Sequence, residues 1–207
     1  MADRELPPTR TPVLAADLYV VLRAAWRTLF GSEPARASLL TLLAQWSLET
    51  GGGAACIGYN LAGIKYTPGC GTDFASYTTQ EVLGGKLVTI HPPDPGCRLR
   101  AYATLEDAAS DYLRLLQRQF GFAWPAVVAG DPQDFAHRLK AAHYYTAPEQ
   151  QYAAGLTSRY TMLSREIGED TTPETPAAMV GFQPSVVLPD EAEEEPDPPS
   201  EPPDAAA

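Results

Sequence analysis

The apolar run Leu39, Leu40, Leu42, Leu43, Trp46 and Leu48, which breaks at Glu49-Thr50 against Gly51-Gly52-Gly53, constrains this chain more than any other feature. The run is dense enough for a buried helix. Three glycines in succession cannot sustain a helix, so the element stops at Glu49-Thr50. Ser32 is placed to cap this second helix, with Pro34 in its first turn. Before it, Leu14, Leu18, Val21, Leu22, Ala25, Trp26, Leu29 and Phe30 recur at three- and four-residue steps. That spacing predicts a first helix over 15–30 with one apolar face, ended by Gly31.

Past the glycines the period changes. From 54 to 99 Gly, Pro, Thr and Tyr dominate. Residues 78–82 and 86–90, joined through Gly84-Gly85, read as a β-hairpin. The stretch 91–96, HPPDPG, reads as a loop. Helices then return. Thr104 with Asp107 starts one that runs through Gln117, Asp131 caps one over 132–142, and Pro148 opens a last one to about Glu166. The expected fold class is α+β: a mainly helical domain with a small β-hairpin lobe and a cleft between the two where an extended polymer can lie.

A chain of 207 residues has room for one core of ordinary size. The boundaries read as an extension over 1–12, a domain over 13–168 and a tail over 169–207. The formal charge of −11 is concentrated in that tail, which holds eleven acidic residues and no Lys or Arg. The rest is balanced, so nothing calls for nucleic acid or a lipid surface. Acidic and Pro-rich, the tail is expected to be disordered, with Met179 to Pro189 as an apolar island able to dock on a partner or to be an incidental patch.

The start, MADRELPPTRTP, lacks the pattern of a secretory signal, and no run approaches the roughly 18 apolar residues of a membrane span. Cytoplasmic synthesis without membrane insertion is expected. Cys56, Cys70 and Cys97 are odd in number and lack zinc spacing, so they read as buried thiols, with Cys70 able to pair with either neighbour in an oxidising compartment. His91, His137 and His143 show neither metal-ligand spacing nor a nucleophile turn. No metal and no cofactor is expected.

Glu49 is the residue placed for chemistry. At a helix C-terminus the macrodipole disfavours an ionised carboxylate, and burial against neighbours such as Trp46 acts in the same direction. A carboxylic acid still protonated near neutral pH is what glycosidic cleavage needs at its leaving oxygen, together with a second group for the oxocarbenium-like transition state. The triple glycine lets a polymer approach closely. The plain alternative is a solvated Glu at a frayed helix end.

An ordered set of motifs sharpens this. Glu49-Thr50-Gly51 is followed by Asn60-Leu61-Ala62-Gly63-Ile64-Lys65, then Thr79-Gln80-Glu81, then Leu99-Arg100-Ala101-Tyr102, then His143-Tyr144-Tyr145-Thr146-Ala147-Pro148 and Tyr152. Over residues 13–162 this order resembles the bacterial glucosaminidase family that includes the flagellar peptidoglycan hydrolase domain. That family has a catalytic Glu ending a helix, a Gly-containing turn, Asn-Leu-x-Gly-Ile-Lys, Thr-x-Glu, Phe-Arg-x-Tyr, and Gly-Tyr-Ala-Thr-Asp-Pro closely followed by Tyr. The chain departs from it at Ala62, where the family usually carries an aromatic, and at His143 and Ala147, where it has Gly and Asp.

The resemblance implies a lysozyme-like endo-β-N-acetylglucosaminidase acting on peptidoglycan glycan strands. Glu49 is then the general acid, Glu81 the second carboxylate and Tyr144 a cleft residue near the scissile sugar, with Asn60, Tyr145 and Tyr102 at the substrate. Glu81 serves as base toward water if the carboxyls are close enough; otherwise the substrate's 2-acetamido group is the nucleophile. Asp73 is the acidic alternative to Glu81, and Asn60 is alternatively a turn former. A muramidase or lytic transglycosylase shares the layout, and a silent wall-binding or structural module is the rival of another class. A wall substrate with no signal implies delivery by a phage-tail-like or contractile injection apparatus, a secretion system or a phage lysis module, docked through the tail, for action in the periplasm or cell wall.

Overall fold

The computed structural model describes residues 4–83 and 86–168, without the side chains of 81–83. The hairpin turn at Gly84-Gly85, the tail and its island at Met179 to Pro189 lie outside the described residues.

Helix α1 (Ala15–Phe30) has the expected bounds and ends at Gly31, whose left-handed backbone (φ 67°) directs its N–H to the Arg27 carbonyl. Helix α2 (Arg36–Glu49) is the axis of the domain. Every residue from Ser38 to Ser47 is buried, so the helix has no solvent face and depends on neighbours all round. Those neighbours are α1, α4 (Trp124–Ala129), α5 (Pro132–Ala141) and α6 (Glu149–Glu166). The expected Ser32 cap is not formed. α2 starts four residues later, behind Ala35, without a side-chain cap, because Glu33 in the intervening turn is held by Arg23 and Arg27 of α1.

Helix α3 (Leu105–Gln119) packs on α1 and is capped by the Thr104 hydroxyl, which accepts from the Asp107 N–H. Asp131 caps α5 through the N–H groups of Gln133 and Asp134. α4 was not anticipated. It is six residues long, too short to show a period, and is fixed by tertiary packing: Trp124 stacks on Trp26 at 4.9 Å and lies against Phe30.

The β lobe is larger than the expected hairpin. β3 (Thr79–Leu83) and β4 (Lys86–Ile90) form that antiparallel pair. A separate sheet of order β1-β2-β5 joins β1 (Glu5–Leu6), β2 (Asp73–Ser76) and β5 (Arg98–Ala101). The segment expected as an extension therefore carries a strand, parallel to β2, and Arg4 pairs with Asp73 at 2.8 Å. Thr11 N–H then donates to the Cys56 carbonyl, and Gly58 N–H to that of Thr9. The N-terminal segment thus clamps the loop that follows the glycines. Cys56 and Cys97 are buried thiols and Cys70 is half-buried; none is bonded to another. Among the described residues no helix is long and apolar enough to cross a membrane.

Candidate active site

The end of α2 is closed by a glycine-terminated wrap. Gly52 N–H donates to the Ser47 carbonyl, and Thr50 donates to that of Trp46 through both its N–H and its hydroxyl. Gly51, Gly52 and Gly53 all hold positive φ, at 59°, 71° and 87°. Around Gly51 and Gly52 there is open space, whereas a Cβ on Gly53 would sit 2.1 Å from the Val13 carbonyl oxygen and 2.5 Å from Trp46 Cζ2. The third glycine therefore serves the inside of the fold, not the approach of a polymer. It fixes the direction in which the chain leaves Glu49.

Glu49 opens into a groove of about 610 Å³. The 60s loop (Ala62 to Lys65), Thr79 and Gln80 of β3, and Leu99 and Arg100 of β5 line the β side. Leu115, Gln119 and Phe120 of α3 and His143 to Tyr145 of the α5–α6 turn line the helical side. A larger groove of about 1640 Å³ runs along α5 and α6 and does not include Glu49.

The Glu49 carboxyl is held above the ordinary carboxylate range. Protein packed behind it removes water from the charged form, and this outweighs the opposing hydrogen bond from Tyr152, whose hydroxyl donates to Oε1 at 2.7 Å. Trp46 packs on the glycine turn, and the polar groups linked to Glu49 are Tyr152 and, behind it, Gln45 and Tyr112. The phenols of Tyr112, Tyr144 and Tyr152 are all pushed upward, first by burial and then by the nearby Glu49 charge, so each keeps its proton.

Tyr144 and Tyr145 reach the groove. Tyr144 donates to the Ala62 carbonyl at 2.9 Å and meets Phe120 edge-on, tying the turn to the 60s loop. Its oxygen can still accept from a sugar hydroxyl. Tyr145 donates to the Ala136 carbonyl, and one face of its ring stacks on Tyr152 at 3.8 Å, so that face is closed to a sugar. Glu81 lies on β3, its Cα paired with Val88; its side chain lies outside the described residues.

Three expected site residues stand elsewhere. Asn60 is 4% exposed and uses its whole amide internally: Nδ2 donates to the carbonyls of Ile64 and Arg100, and Oδ1 accepts from the N–H groups of Ala62 and Ile64. It shapes the 60s loop and has no group left for a sugar amide. Tyr102 is buried away from the groove, its hydroxyl 2.7 Å from Asp111 Oδ2, where Arg100 also binds. Asp73 is the partner of Arg4 and does not line the groove. Gln45 and Tyr112 carried no sequence assignment, and Tyr152 only closed a motif. Gln45 is the longest polar side chain within the apolar run, one turn before Glu49, and that position was the available signal.

With this geometry in hand, the glucosaminidase family, described as mannosyl-glycoprotein endo-beta-N-acetylglucosaminidase, matches residues 35–164. The chain belongs to the glucosaminidase family. The glucosaminidase-family match spans α2 through most of α6 and so includes every groove element. Among solved structures, a peptidoglycan hydrolase mutant from Sphingomonas sp. A1 is 25% identical at a TM-score of 0.53, covering 72% of this chain and 97% of that one. The glycoside hydrolase domain of FlgJ from Salmonella typhimurium, C-terminally truncated, is 25% identical at a TM-score of 0.48, covering 73% and 98%. The catalytic domain of the autolysin Auto from Listeria monocytogenes is 16% identical at 0.50, covering 75% and 88%. No curated protein matches the chain.

Proposed function

We propose that the protein is an endo-β-N-acetylglucosaminidase that cleaves β-1,4 bonds in peptidoglycan glycan strands, with Glu49 as general acid. One observation carries the reading: a carboxyl whose pKa is raised by the protein packed against it opens into a groove walled by both the helical and the β lobe. Glu49 gives its proton to the leaving glycosidic oxygen, and the Tyr152 hydroxyl then supports the carboxylate that remains. Tyr144 and Phe120 present an aromatic wall on the helical side.

The second step is assigned to Glu81, as base toward water, or to the substrate's own 2-acetamido group. The product decides between them. Water activated by Glu81 inverts the anomeric carbon, whereas the acetamido route retains it. Digestion of purified peptidoglycan followed by mass spectrometry tests the whole reading. N-acetylglucosamine at the new reducing ends supports it; muramic or anhydromuramic ends identify a muramidase or lytic transglycosylase instead. Binding to sacculi with no fragments released at any pH identifies a silent module.

Residues 169–207 are proposed to dock the enzyme on a phage-tail-like, injection or secretion apparatus that delivers it to the wall. Deleting them then abolishes delivery and leaves hydrolysis of purified wall intact; equal delivery by the truncated protein ends that proposal.

A further inference from the structure

Behind Glu49 lies a set of polar groups that the proposed reaction does not touch. Gln45 of α2 and Tyr112 of α3 are both 0% exposed, and neither lines the groove. A buried amide beside a buried phenol is costly unless every member has a partner, and here the partners form a line. Tyr112 hydroxyl donates to Gln45 Oε1 at 2.6 Å. Gln45 Nε2 donates to the Tyr152 oxygen at 3.4 Å. Tyr152 hydroxyl donates to Glu49 Oε1 at 2.7 Å.

The direction of this line is set by the Gln45 amide, whose oxygen faces Tyr112 and whose nitrogen faces Tyr152. Each phenol has one proton to give, an amide oxygen has none, and an amide nitrogen can only donate. With the Tyr112 proton on the Gln45 oxygen, the Gln45 nitrogen faces Tyr152. The Tyr152 oxygen then accepts, and its single proton has only Glu49 to go to. Oε1 of Glu49 is therefore an acceptor in both charge states of the carboxyl, and the acid proton belongs on Oε2. The stack of Tyr145 on Tyr152, at 3.8 Å and 12° between planes, holds the ring that makes the last link.

Resting on the reading of Glu49 as general acid, we propose that Tyr112, Gln45 and Tyr152 are positioning residues forming a one-way hydrogen-bond chain that confines the acid proton to Glu49 Oε2. In the reaction the Oε2–H bond breaks, its proton goes to the leaving oxygen, and the C–O bonding pair departs with that oxygen. The carboxylate left behind is already held by Tyr152. The chain thus favours the charged form of an acid that is exposed toward the groove but whose packing from behind favours the neutral form, which keeps the acid able both to hold its proton and to release it.

The opposite direction has the opposite consequence. With the Gln45 amide turned over, Tyr152 would donate to Gln45, and Glu49 would need a proton on Oε1 to reach Tyr152. That arrangement stabilises the neutral acid. The sign of one titration shift separates the two directions.

The test uses the full-length protein labelled with 13C at the glutamate side-chain carboxyls, with the Glu49 signal assigned through Glu49→Gln. Carbon NMR titrations of wild type, Tyr152→Phe, Tyr112→Phe and Gln45→Met are set beside pH profiles of peptidoglycan hydrolysis. Tyr152→Phe keeps the stacked ring and removes only the last link, so the Glu49 midpoint and the alkaline limb of activity both move to higher pH. Gln45→Met and Tyr112→Phe move both the same way by less, although neither residue reaches the groove. A midpoint that stays or falls in Tyr152→Phe overturns the proposal, as does one unmoved in both Gln45→Met and Tyr112→Phe. NMR reads the midpoint without turnover, which keeps the two readings separable. Upward shifts in a protein that releases no fragments uphold the chain and remove the enzymatic function. Static midpoints in a protein whose hydrolysis needs Glu49 do the reverse.

Discussion

Replacing Gly53 by alanine puts a methyl group 2.1 Å from the Val13 carbonyl oxygen and 2.5 Å from Trp46 Cζ2, on a backbone at φ 87°. The left-handed conformation alone costs an alanine roughly 1–2 kcal/mol. Forcing a methyl into a filled site adds about 1–3 kcal/mol, and the stiffer unfolded chain returns about 0.4–1 kcal/mol. The net loss is roughly 2–4 kcal/mol. Gly51 and Gly52 share the left-handed backbone, at φ 59° and 71°, but have open space around them, so alanine at either costs about 1 kcal/mol. Urea unfolding of the three variants, fitted with a common slope, reads the difference directly as midpoints. Gly53→Ala should unfold at clearly lower urea than the other two. Equal midpoints for all three would refute the assignment of Gly53 to internal packing. Normal stability with lost activity in Gly51→Ala and Gly52→Ala would show that those two glycines serve the groove.

Asn60→Ala leaves the Arg100 carbonyl and the Ile64 N–H without their Asn60 partner and the Ile64 carbonyl with only the Arg100 N–H; a loss of about 2–4 kcal/mol is expected, and a neutral effect in chemical denaturation would contradict the bracing role. Glu49→Gln should stabilise the protein at neutral pH. The sign follows from a folded-state pKa raised above the unfolded one: wild-type stability falls as pH rises from the unfolded value of about 4.3 through the folded value, and glutamine does not titrate. The melting-temperature gain at pH 7 should vanish near pH 4; a gain that grows toward acid would show that the folded protein prefers the carboxylate.

Much of this was legible in the sequence because local signals and burial agree. The all-round apolar run of α2, its stop at the glycines, and the caps at Thr104 and Asp131 all appear as their chemistry dictates. What was missed depends on partners distant in the chain. β1 is two residues long and exists only because β2 lies beside it, and α4 is held by Trp26 across the core. The same holds in the site. Asn60 read equally as a ligand for a sugar amide or as a turn former, and its bonds to its own loop and to Arg100, forty residues on, favour the second. Tyr152 lies 103 residues from Glu49, and no spacing rule joins a helix-six phenol to a helix-two carboxylate. Gln45 left a local signal, a long polar side chain one turn from the acid within an apolar run, and Tyr152 stood only as the end of a motif.

The central claim is that the proton comes from Glu49. The most direct measurement is the rate at which wild type and Glu49→Gln release soluble fragments from purified sacculi at the wild-type pH optimum, with both proteins shown to be folded. Glutamine keeps the size and the Tyr152 contact but has no acidic proton, so the rate should fall by roughly 10²–10⁴. A Glu49→Gln enzyme that retains the wild-type rate would contradict the account.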